Sequence, residues 1–251
     1  MKPAILLAAG LGTRLAPLTD SLPKALVQVQ GKTMLEWQLL KLRKNGFGPV
    51  VVNVHHFADL IIDFLKANNN FGMDIIVSDE SAELLDTGGG IRRALHLLDT
   101  GLPVLVCNVD VFSTANLDTF YKAFDPVRSD ALLMVSLRKG SRALCFDRND
   151  VLAGWTNRVN GDIRSAVPGF RENLVRGQYF PYSFQGYHVV GPGLLDELDK
   201  VSEQKFGITD FYTNTAATMR YLAYREPAGT FWVDAGKQKS LSLAADIAAL
   251  Y

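Results

Sequence analysis

Short apolar runs alternate with segments of helical spacing along the first half of the chain. The apolar runs predict buried strands at Ala4–Ala8, Val50–Val54, Asp74–Val77 and Pro103–Cys107. Apolar residues three and four positions apart predict helices between them, at Met34–Lys44, Phe57–Leu65, Gly89–Leu98 and Leu117–Phe124. This alternation is typical of a parallel sheet with helices on both faces.

After residue 125 the pattern changes, and strands follow one another more directly. We predict strands at Ala131–Leu137, Ala143–Phe146, Val151–Trp155, Phe184–Val190 and Thr230–Val233. Helical spacing returns at Leu194–Leu198, Asp210–Arg220 and Leu241–Leu250. The stretch Trp155–Tyr182 has no clear period and is predicted to be an irregular excursion. The whole pattern predicts one α/β domain over residues 1–251, with a Rossmann-like, mixed and mainly parallel sheet flanked by helices.

Composition narrows the class of partner. The chain of 251 residues has 26 Lys plus Arg and 26 Asp plus Glu, so its net charge is zero. A broad surface for nucleic acid or an anionic membrane is therefore disfavoured, and any bound anion needs a local site. Two isolated cysteines and the lack of a long apolar run predict a cytoplasmic protein without a disulfide scaffold.

The segment Leu7–Leu15, with the sequence LAAGLGTRL, is the richest in candidate chemistry. Glycines directly after a buried strand let backbone N–H groups approach a phosphate, and Arg14 and Lys24 add positive charge. A dinucleotide fingerprint is excluded because Leu15 stands where a third small residue is needed. A P-loop is excluded because the chain lacks its Gly-Lys-Ser/Thr sequence. A plain glycine turn with a surface Arg and Lys remains the alternative.

Several motifs together closely resemble those of the sugar-1-phosphate nucleotidyltransferase family. Leu7–Leu15, Pro23-Lys24 and Gly31-Lys32 resemble the family's signature, and Leu85–Ile91 resembles its second nucleotide-contacting loop. Further similarity lies at Val106–Val111, Phe184–Tyr187 and Trp232–Gly236. The resemblance implies transfer of a nucleotidyl group from a nucleoside triphosphate to a sugar 1-phosphate, with release of pyrophosphate. It also implies a nucleotide-binding half at 1–125 and a sugar-binding half at 126–251.

The resemblance assigns roles residue by residue. Arg14 and Lys24 are the expected catalytic residues, and Asp110 and Asp234 are expected to hold Mg²⁺. The expected nucleotide-binding residues are Ala9, Gly10, Gly12, Thr13, Arg14, Lys24, Ser78, Glu80, Thr87, Gly88 and Asn108. The expected sugar-binding residues are Gly154, Asn157, Gly186 and Tyr187.

The chain also departs from the family's pattern. Val109 stands where glycine is usual, which makes that strand end bulkier. The Glu-Lys-Pro tripeptide, whose lysine holds the sugar phosphate in larger members, does not occur. Charge alone leaves Arg142, Arg158 and Arg164 as candidates for that role.

The substrate pair stays open between groups of the family. The short length and the Thr87-Gly-Gly-Gly loop most resemble the bacterial group that joins UTP to N-acetylmuramate 1-phosphate, and the mannose-1-phosphate guanylyltransferase group is almost as similar. A phosphocholine cytidylyltransferase would need an aromatic cage, for which Tyr179, Tyr182 and Phe184 are candidates. A non-catalytic nucleotide-binding regulatory module is the last alternative. The expected assembly is a monomer or a small homo-oligomer.

Overall fold

The computed structural model describes all residues, 1–251. Its strands β1 to β14 are, in chain order, Lys2–Leu7, Gln28–Val29, Lys32–Thr33, Phe47–Val54, Ile75–Asp79, Val104–Asn108, Val111–Ser113, Ala131–Ser136, Arg142–Phe146, Leu152–Asn157, Ile163–Arg164, Phe180–Val190, Tyr221–Arg225 and Trp232–Asp234. Its helices α1 to α8 are Met34–Lys44, Ala58–Ala67, Asp86–Leu98, Leu117–Lys122, Phe170–Val175, Leu194–Leu198, Ile208–Thr215 and Leu241–Ala248. Short 3₁₀ turns lie at Thr13–Leu15, Lys24–Leu26, Asn69–Gly72 and Gln238–Ser240.

A ten-stranded mixed sheet forms the centre of the molecule. Its main path runs β11-β10-β9-β12-β6-β1-β4-β5, and β8 joins β12 to β13. Strands β6, β1, β4 and β5 are parallel, whereas β12 pairs antiparallel with β6, β8 and β9. The long strand β12 therefore connects the parallel half of the sheet to the antiparallel half. The predicted mixed sheet flanked by helices is confirmed.

Local sequence explains why the first elements form where they do. Strand β1 is buried on both faces after its first residue, as expected for a parallel strand covered by helices. Helix α1 begins at a capping box, in which the Thr33 hydroxyl accepts a hydrogen bond from the Glu36 N–H at 3.0 Å. The helix ends at Asn45, and Gly46 follows with a φ of +74°.

The predicted irregular excursion is wrong in part, because Trp155–Tyr182 contains regular elements. The stretch begins in β10, forms the short strand β11 and helix α5, and enters β12 before Tyr182. The strand pairing of β11 is only two residues long, too short to give a detectable period in the sequence. This region extends the central sheet instead of looping away from it.

One strand that was not predicted, β7, matters for the site, and its partner β14 is the strand predicted at Thr230–Val233. β7 follows β6 after two residues and pairs antiparallel with β14, which lies near the end of the chain. The pairing places Asp234 opposite Val111. It thereby brings the last third of the chain to the carboxyl end of β6. No helix is long and apolar enough to cross a membrane.

Candidate active site

A cleft of about 510 Å³ opens where the parallel strands end, which is where open α/β sheets place their ligands. Its wall includes residues that follow β1, β4 and β6 and residues from β12 and β14. The polar and glycine residues of this wall are Gly10, Arg14, Lys24, Asn53, Asp86, Thr87, Asn108, Asp110, Arg142, Gln185, Gly186 and Asp234. Most of the residues expected from the sequence are thus brought to one cleft.

The glycine loop after β1 is shaped by close packing at Gly12. Its φ is +71°, and a Cβ there would lie 2.9 Å from Thr19 Cγ2 and 3.0 Å from Lys24 Cβ. The Thr19 hydroxyl also donates to the Gly12 carbonyl oxygen at 3.0 Å. Only glycine fits this backbone conformation and this space. Gly10, Thr13 and Arg14 are left on the exposed side of the loop.

Asn53 at the end of β4 organises the cleft floor, although no sequence motif pointed to it. Its Oδ1 accepts from the backbone N–H groups of Ala8 at 2.6 Å and Ala9 at 3.3 Å. Its Nδ2 donates to Glu80 Oε1 at 2.9 Å. A side chain that is 3 % exposed thus fixes the start of the glycine loop through hydrogen bonds.

Ser78 and Glu80 lie beneath the cleft and not on its surface. Ser78 is fully buried and Glu80 is 1 % exposed. Burial raises the pKa of Glu80, opposed by the hydrogen bond from Asn53. Glu80 therefore supports the loop through Asn53, whereas the buried Ser78 hydroxyl has no hydrogen-bond partner, and neither side chain lines the cleft.

The three glycines at the start of α3 are required by packing. A Cβ at Gly88 would lie 2.3 Å from the Phe206 ring, and one at Gly89 would lie 2.2 Å from the Gln204 carbonyl oxygen. A Cβ at Gly90 would lie 2.9 Å from Asn53 Nδ2. Gly88 is buried, so within this loop Thr87 and not Gly88 has a side chain facing the cleft.

Asp110 forms a buried ion pair with Lys24. The Lys24 ammonium lies 2.9 Å from Asp110 Oδ2, and the side chains are only 15 % and 8 % exposed. Burial acts to raise the pKa of Asp110, but the charge and hydrogen bond of Lys24, a backbone hydrogen bond and the charge of Arg14 together outweigh it, so that the pKa lies below the usual value. Asp110 is therefore ionised at neutral pH.

Asp234 approaches the same point from β14. Its Oδ2 lies 3.5 Å from a terminal nitrogen of Arg14, in a pair that is more exposed. A Cβ added to Gly236 would lie 2.7 Å from Asp234 Oδ1, 2.8 Å from Asp110 Oδ2 and 2.7 Å from the Arg14 guanidinium. The two carboxylates therefore face one small space that glycine keeps free.

The donor set in this space suits Mg²⁺. This cation prefers one or two carboxylates and completes an octahedral shell with water and phosphate oxygens, at bond lengths of about 2.1 Å. No group of three or more His, Cys, Asp or Glu side chains that could hold a metal occurs in the chain. Asp110 and Asp234 thus fit a cation that is shared with a bound triphosphate.

A second cleft of about 750 Å³ continues from the first, and Arg142, Phe184 and Trp232 line both. Strand register explains its wall. Asn157 pairs with Arg142, and Trp155 pairs with Arg164, so these four side chains share one face of the sheet. All residues that line this cleft belong to the second half of the chain, in the range from Arg138 to Trp232.

Two of the residues expected to bind sugar do not face either cleft, and that expectation is corrected. The Tyr187 side chain is fully buried, and its hydroxyl donates to the Val111 carbonyl oxygen at 3.1 Å. Gly154 lies on the opposite face of β10, where a Cβ would be 2.7 Å from the Phe170 ring. Asn157 lines the second cleft and Gly186 the first.

The hydrogen bonds of the three candidate arginines separate them. Arg158 donates to the carbonyl oxygens of Gly140 and Pro181 at 3.2 and 2.8 Å and lines neither cleft. Arg164 forms an ion pair with Asp210 inside the second cleft. Arg142 is exposed, has no such partner, and stands at the junction of the two clefts.

The three aromatic residues considered for a choline cage do not converge. Tyr179 stacks on Phe170 with ring centroids 5.2 Å apart, and Tyr182 is buried. Phe184 is the one that lines the clefts. A cage needs several aromatic faces around one cation, so the arrangement disfavours this interpretation.

Comparison with known proteins places the chain in a family. The model of the family described as Nucleotidyl transferase matches residues 3–146. N-acetylmuramate alpha-1-phosphate uridylyltransferase of Caulobacter vibrioides is 38% identical over 197 residues, which is 76% of each chain. A probable mannose-1-phosphate guanylyltransferase 2 of Oryza sativa is 35% identical over 246 residues, covering 94% of this chain and 62% of the relative.

A solved structure supports the fold. The crystal structure of HddC from Yersinia pseudotuberculosis complexed with GMP-PN matches with a TM-score of 0.75 at 21% identity, over 98% of this chain and 99% of that one. With such low identity, this likeness bears on the fold alone. The family match and the relatives, however, argue against the non-catalytic alternative. The chain is an enzyme and belongs to the sugar-1-phosphate nucleotidyltransferase family.

Proposed function

We propose that the protein joins UTP to N-acetylmuramate 1-phosphate, giving UDP-N-acetylmuramate and pyrophosphate. The observation that carries the nucleotidyl transfer is the convergence of Arg14, Lys24, Asp110 and Asp234 around Gly236 at the end of the parallel strands. The choice of substrates is supported by the uridylyltransferase relative, of which the chain covers three quarters.

The triphosphate occupies the first cleft in this proposal. Backbone N–H groups of the loop from Ala9 to Thr13 approach its phosphates, and Gly12 keeps the loop free of a side chain. Arg14 and Lys24 neutralise the charge that develops on the leaving pyrophosphate. Thr87 and Asn108 line the rest of this cleft and contact the nucleoside.

Asp110 and Asp234 hold Mg²⁺ in the space beside Gly236. When bound, the cation supplies Lewis-acid polarisation of the α-phosphate and a template for in-line attack. Arg14 and Lys24, which pair with these carboxylates here, then turn toward the phosphates. The ion pairs thus keep the carboxylates neutralised until substrate arrives.

Arg142 holds the phosphate of the incoming sugar. It lines both clefts, so a phosphate bound to it lies between the sugar and the triphosphate. Its guanidinium presents paired N–H donors that match phosphate oxygens. This assigns to Arg142 the role that charge alone left open among three arginines.

The chemistry needs positioning more than proton transfer. An oxygen of the sugar phosphate forms a bond to the α-phosphorus of UTP, while the bond from that phosphorus to the oxygen bridging to the β-phosphorus breaks. Pyrophosphate leaves with the electron pair. The nucleophile is already ionised near neutral pH, since the second pKa of a phosphate monoester is about 6. Holding both phosphates in line therefore supplies most of the catalysis.

In this proposal the two halves of the chain bind different substrates. Residues 1–125 bind the nucleotide and residues 126–251 bind the sugar and complete the metal site. The lining of the second cleft, which comes wholly from the second half, supports the division.

A matrix of UTP, GTP, CTP and dTTP against a panel of sugar 1-phosphates tests the proposal, with pyrophosphate release as the readout. We expect the highest kcat/KM for UTP with N-acetylmuramate 1-phosphate. The second candidate is GTP with mannose 1-phosphate, because the guanylyltransferase relative matches 94% of this chain. A clear preference for that pair would replace the proposed substrates but not the reaction.

A further inference from the structure

The second cleft has more cationic side chains than one sugar phosphate requires, although two carboxylates offset part of their charge. It is lined by the cations Arg138, Lys139, Arg142 and Arg164 and by the carboxylates Asp162 and Asp210. Of these cations, only Arg142 lies at the junction of the two clefts, where the sugar phosphate would bind. Arg164 lies two strands away from Arg142, where the body of the sugar would bind.

Arg138 does not account for this excess, because it is committed to the protein. Its guanidinium stacks 3.7 Å from the Trp232 ring centroid and donates to the Trp232 carbonyl oxygen at 3.1 Å. It also donates to Gln185 Oε1. These contacts use its donors to fix the wall between the clefts.

Arg164 is held in place, but most of its hydrogen-bond donors have no partner in the protein. Its guanidinium lies 4.8 Å from the Trp155 ring centroid, and one terminal nitrogen pairs with Asp210. No other hydrogen bond of its side chain is formed, and the side chain is 55 % exposed. A guanidinium stacked on a ring, with an open pair of N–H donors, is suited to bidentate binding of a carboxylate.

The spacing of Arg142 and Arg164 fits one sugar between them. They lie on the same face, two strands apart and two residues offset, through the pairs Arg142–Asn157 and Trp155–Arg164. This places their Cα atoms about 12 Å apart, from a strand spacing of ~4.8 Å and a rise of ~3.3 Å per residue. Asn157 stands between them and offers an amide to the ring substituents.

We propose that Arg164 is a specificity-determining residue that binds a carboxylate on the sugar, so that the enzyme selects acidic sugar 1-phosphates. The inference rests on the proposed function and deepens it. N-acetylmuramate differs from N-acetylglucosamine by a lactyl ether that ends in a carboxylate. That group is the anion that the open face of Arg164 would bind.

Four proteins test the assignment: the unaltered chain, Arg164→Met, Arg164→Lys and Asp210→Asn. Each is assayed with UTP and either N-acetylmuramate 1-phosphate or N-acetylglucosamine 1-phosphate, and the ratio of the two kcat/KM values is compared. Where the second sugar phosphate is not turned over, its inhibition constant against the first gives the preference in binding instead. Methionine keeps the apolar stem on Trp155 and removes only the charge and the donors.

We expect the unaltered enzyme to prefer the acidic sugar, and Arg164→Met to lower the preference by about 10- to 100-fold, the range for hydrogen bonds to a charged group. Arg164→Lys should restore part of the preference for the acidic sugar. Asp210→Asn breaks the ion pair but keeps the cation, so the preference should survive even if the melting temperature falls.

Three outcomes would overturn the inference: no preference for the acidic sugar in the unaltered enzyme, an unchanged ratio in Arg164→Met, or an equal loss in Asp210→Asn. An equal loss in Asp210→Asn would show that Arg164 acts only through its ion pair, which joins β11 to α7. Failure of the proposed function is seen separately, as no pyrophosphate release by the unaltered enzyme with any substrate pair. Calorimetric binding of the two sugar phosphates to the unaltered chain and Arg164→Met would then still decide the role of Arg164.

Discussion

Lys24 and Asp110 are 86 residues apart in the chain, and their side chains meet at 2.9 Å in a nearly closed site. The pair links the segment after the glycine loop to the end of β6. Burial raises the pKa of Asp110, but Lys24, a backbone hydrogen bond and Arg14 together lower it by more, so Asp110 stays ionised. Stability and catalysis are therefore coupled at this contact.

Removing only one member of this ion pair should lower the free energy of unfolding. Lys24→Met leaves a buried carboxylate without its partner, and we expect the free energy of unfolding to fall by about 3 kcal/mol. Adding Asp110→Asn removes the stranded charge and should recover much of that loss. Urea denaturation of the two single variants and the double variant measures both effects.

Activity should behave differently from stability in the same series. The double variant lacks one cation and one carboxylate of the proposed site, so its turnover should stay as low as that of the worse single variant. A double variant that recovers both stability and turnover would contradict the catalytic role of the pair.

Arg14→Ala should lower kcat by about 10²- to 10³-fold, the loss seen when one charge-stabilising donor is removed. Its ion pair with Asp234 is long and exposed, so the free energy of unfolding should change by less than ~1 kcal/mol. Steady-state kinetics and thermal melts test the two statements together. An Arg14→Ala protein that unfolds while its soluble fraction keeps full turnover would assign Arg14 to structure instead.

Gly236→Ala should abolish most Mg²⁺-dependent activity. The added methyl group would occupy the space between Asp110 Oδ2, Asp234 Oδ1 and the Arg14 guanidinium. Gly193→Ala is the matched control, because a Cβ at Gly193 meets nothing within 4 Å. We expect the apparent affinity for Mg²⁺, measured by titration of the activity, to fall only in Gly236→Ala. Equal Mg²⁺ titrations for both variants would place the cation elsewhere.

Lys41 should make stability depend on pH. It is buried beside Tyr187 and Tyr251 and donates to the Ser113 carbonyl oxygen, and burial lowers its pKa to about 7. Between that value and its unfolded pKa of about 10.4, the unfolded chain binds the extra proton, so stability rises with pH by up to ~1.4 kcal/mol per unit.

The clearest window is about pH 7 to 8, because burial raises the pKa of the Cys107 and Cys145 thiols to about 12, whereas the unfolded thiols, with a pKa of about 8.5, ionise mostly above that window. Lys41→Met should show a flatter dependence in denaturant titrations across this window. Identical slopes for Lys41→Met and the unaltered chain would mean that the amine keeps its ordinary pKa.

The parallel half of the fold could be read from the sequence, since its apolar runs and helical periods are long and regular. The glycine loop was expected directly after β1 for the same reason, and the family resemblance implied that Asp110 and Asp234 hold Mg²⁺. The short pairing of β7 with β14 carries no periodic signal. Only the folded chain therefore shows that Asp234 faces Asp110.

Side-chain direction was the main source of error on the sugar side. Tyr187 lies next to Gly186 in a matching motif, yet strand alternation turns it into the core. Gly154 is on the far face of β10 for the same reason. Arg142, Arg158 and Arg164 have equal charge in the sequence, and their hydrogen bonds and register alone distinguish them.

The most direct test of nucleotidyl transfer follows the phosphorus atoms of UTP. The unaltered enzyme is given Mg²⁺, N-acetylmuramate 1-phosphate and UTP labelled at either the α- or the γ-phosphorus, and the products are separated. Attack at the α-phosphorus predicts α-label in UDP-N-acetylmuramate and γ-label in pyrophosphate. Label from the γ-phosphorus in the sugar product, or α-label that stays only in UTP and free nucleotides, would contradict the account.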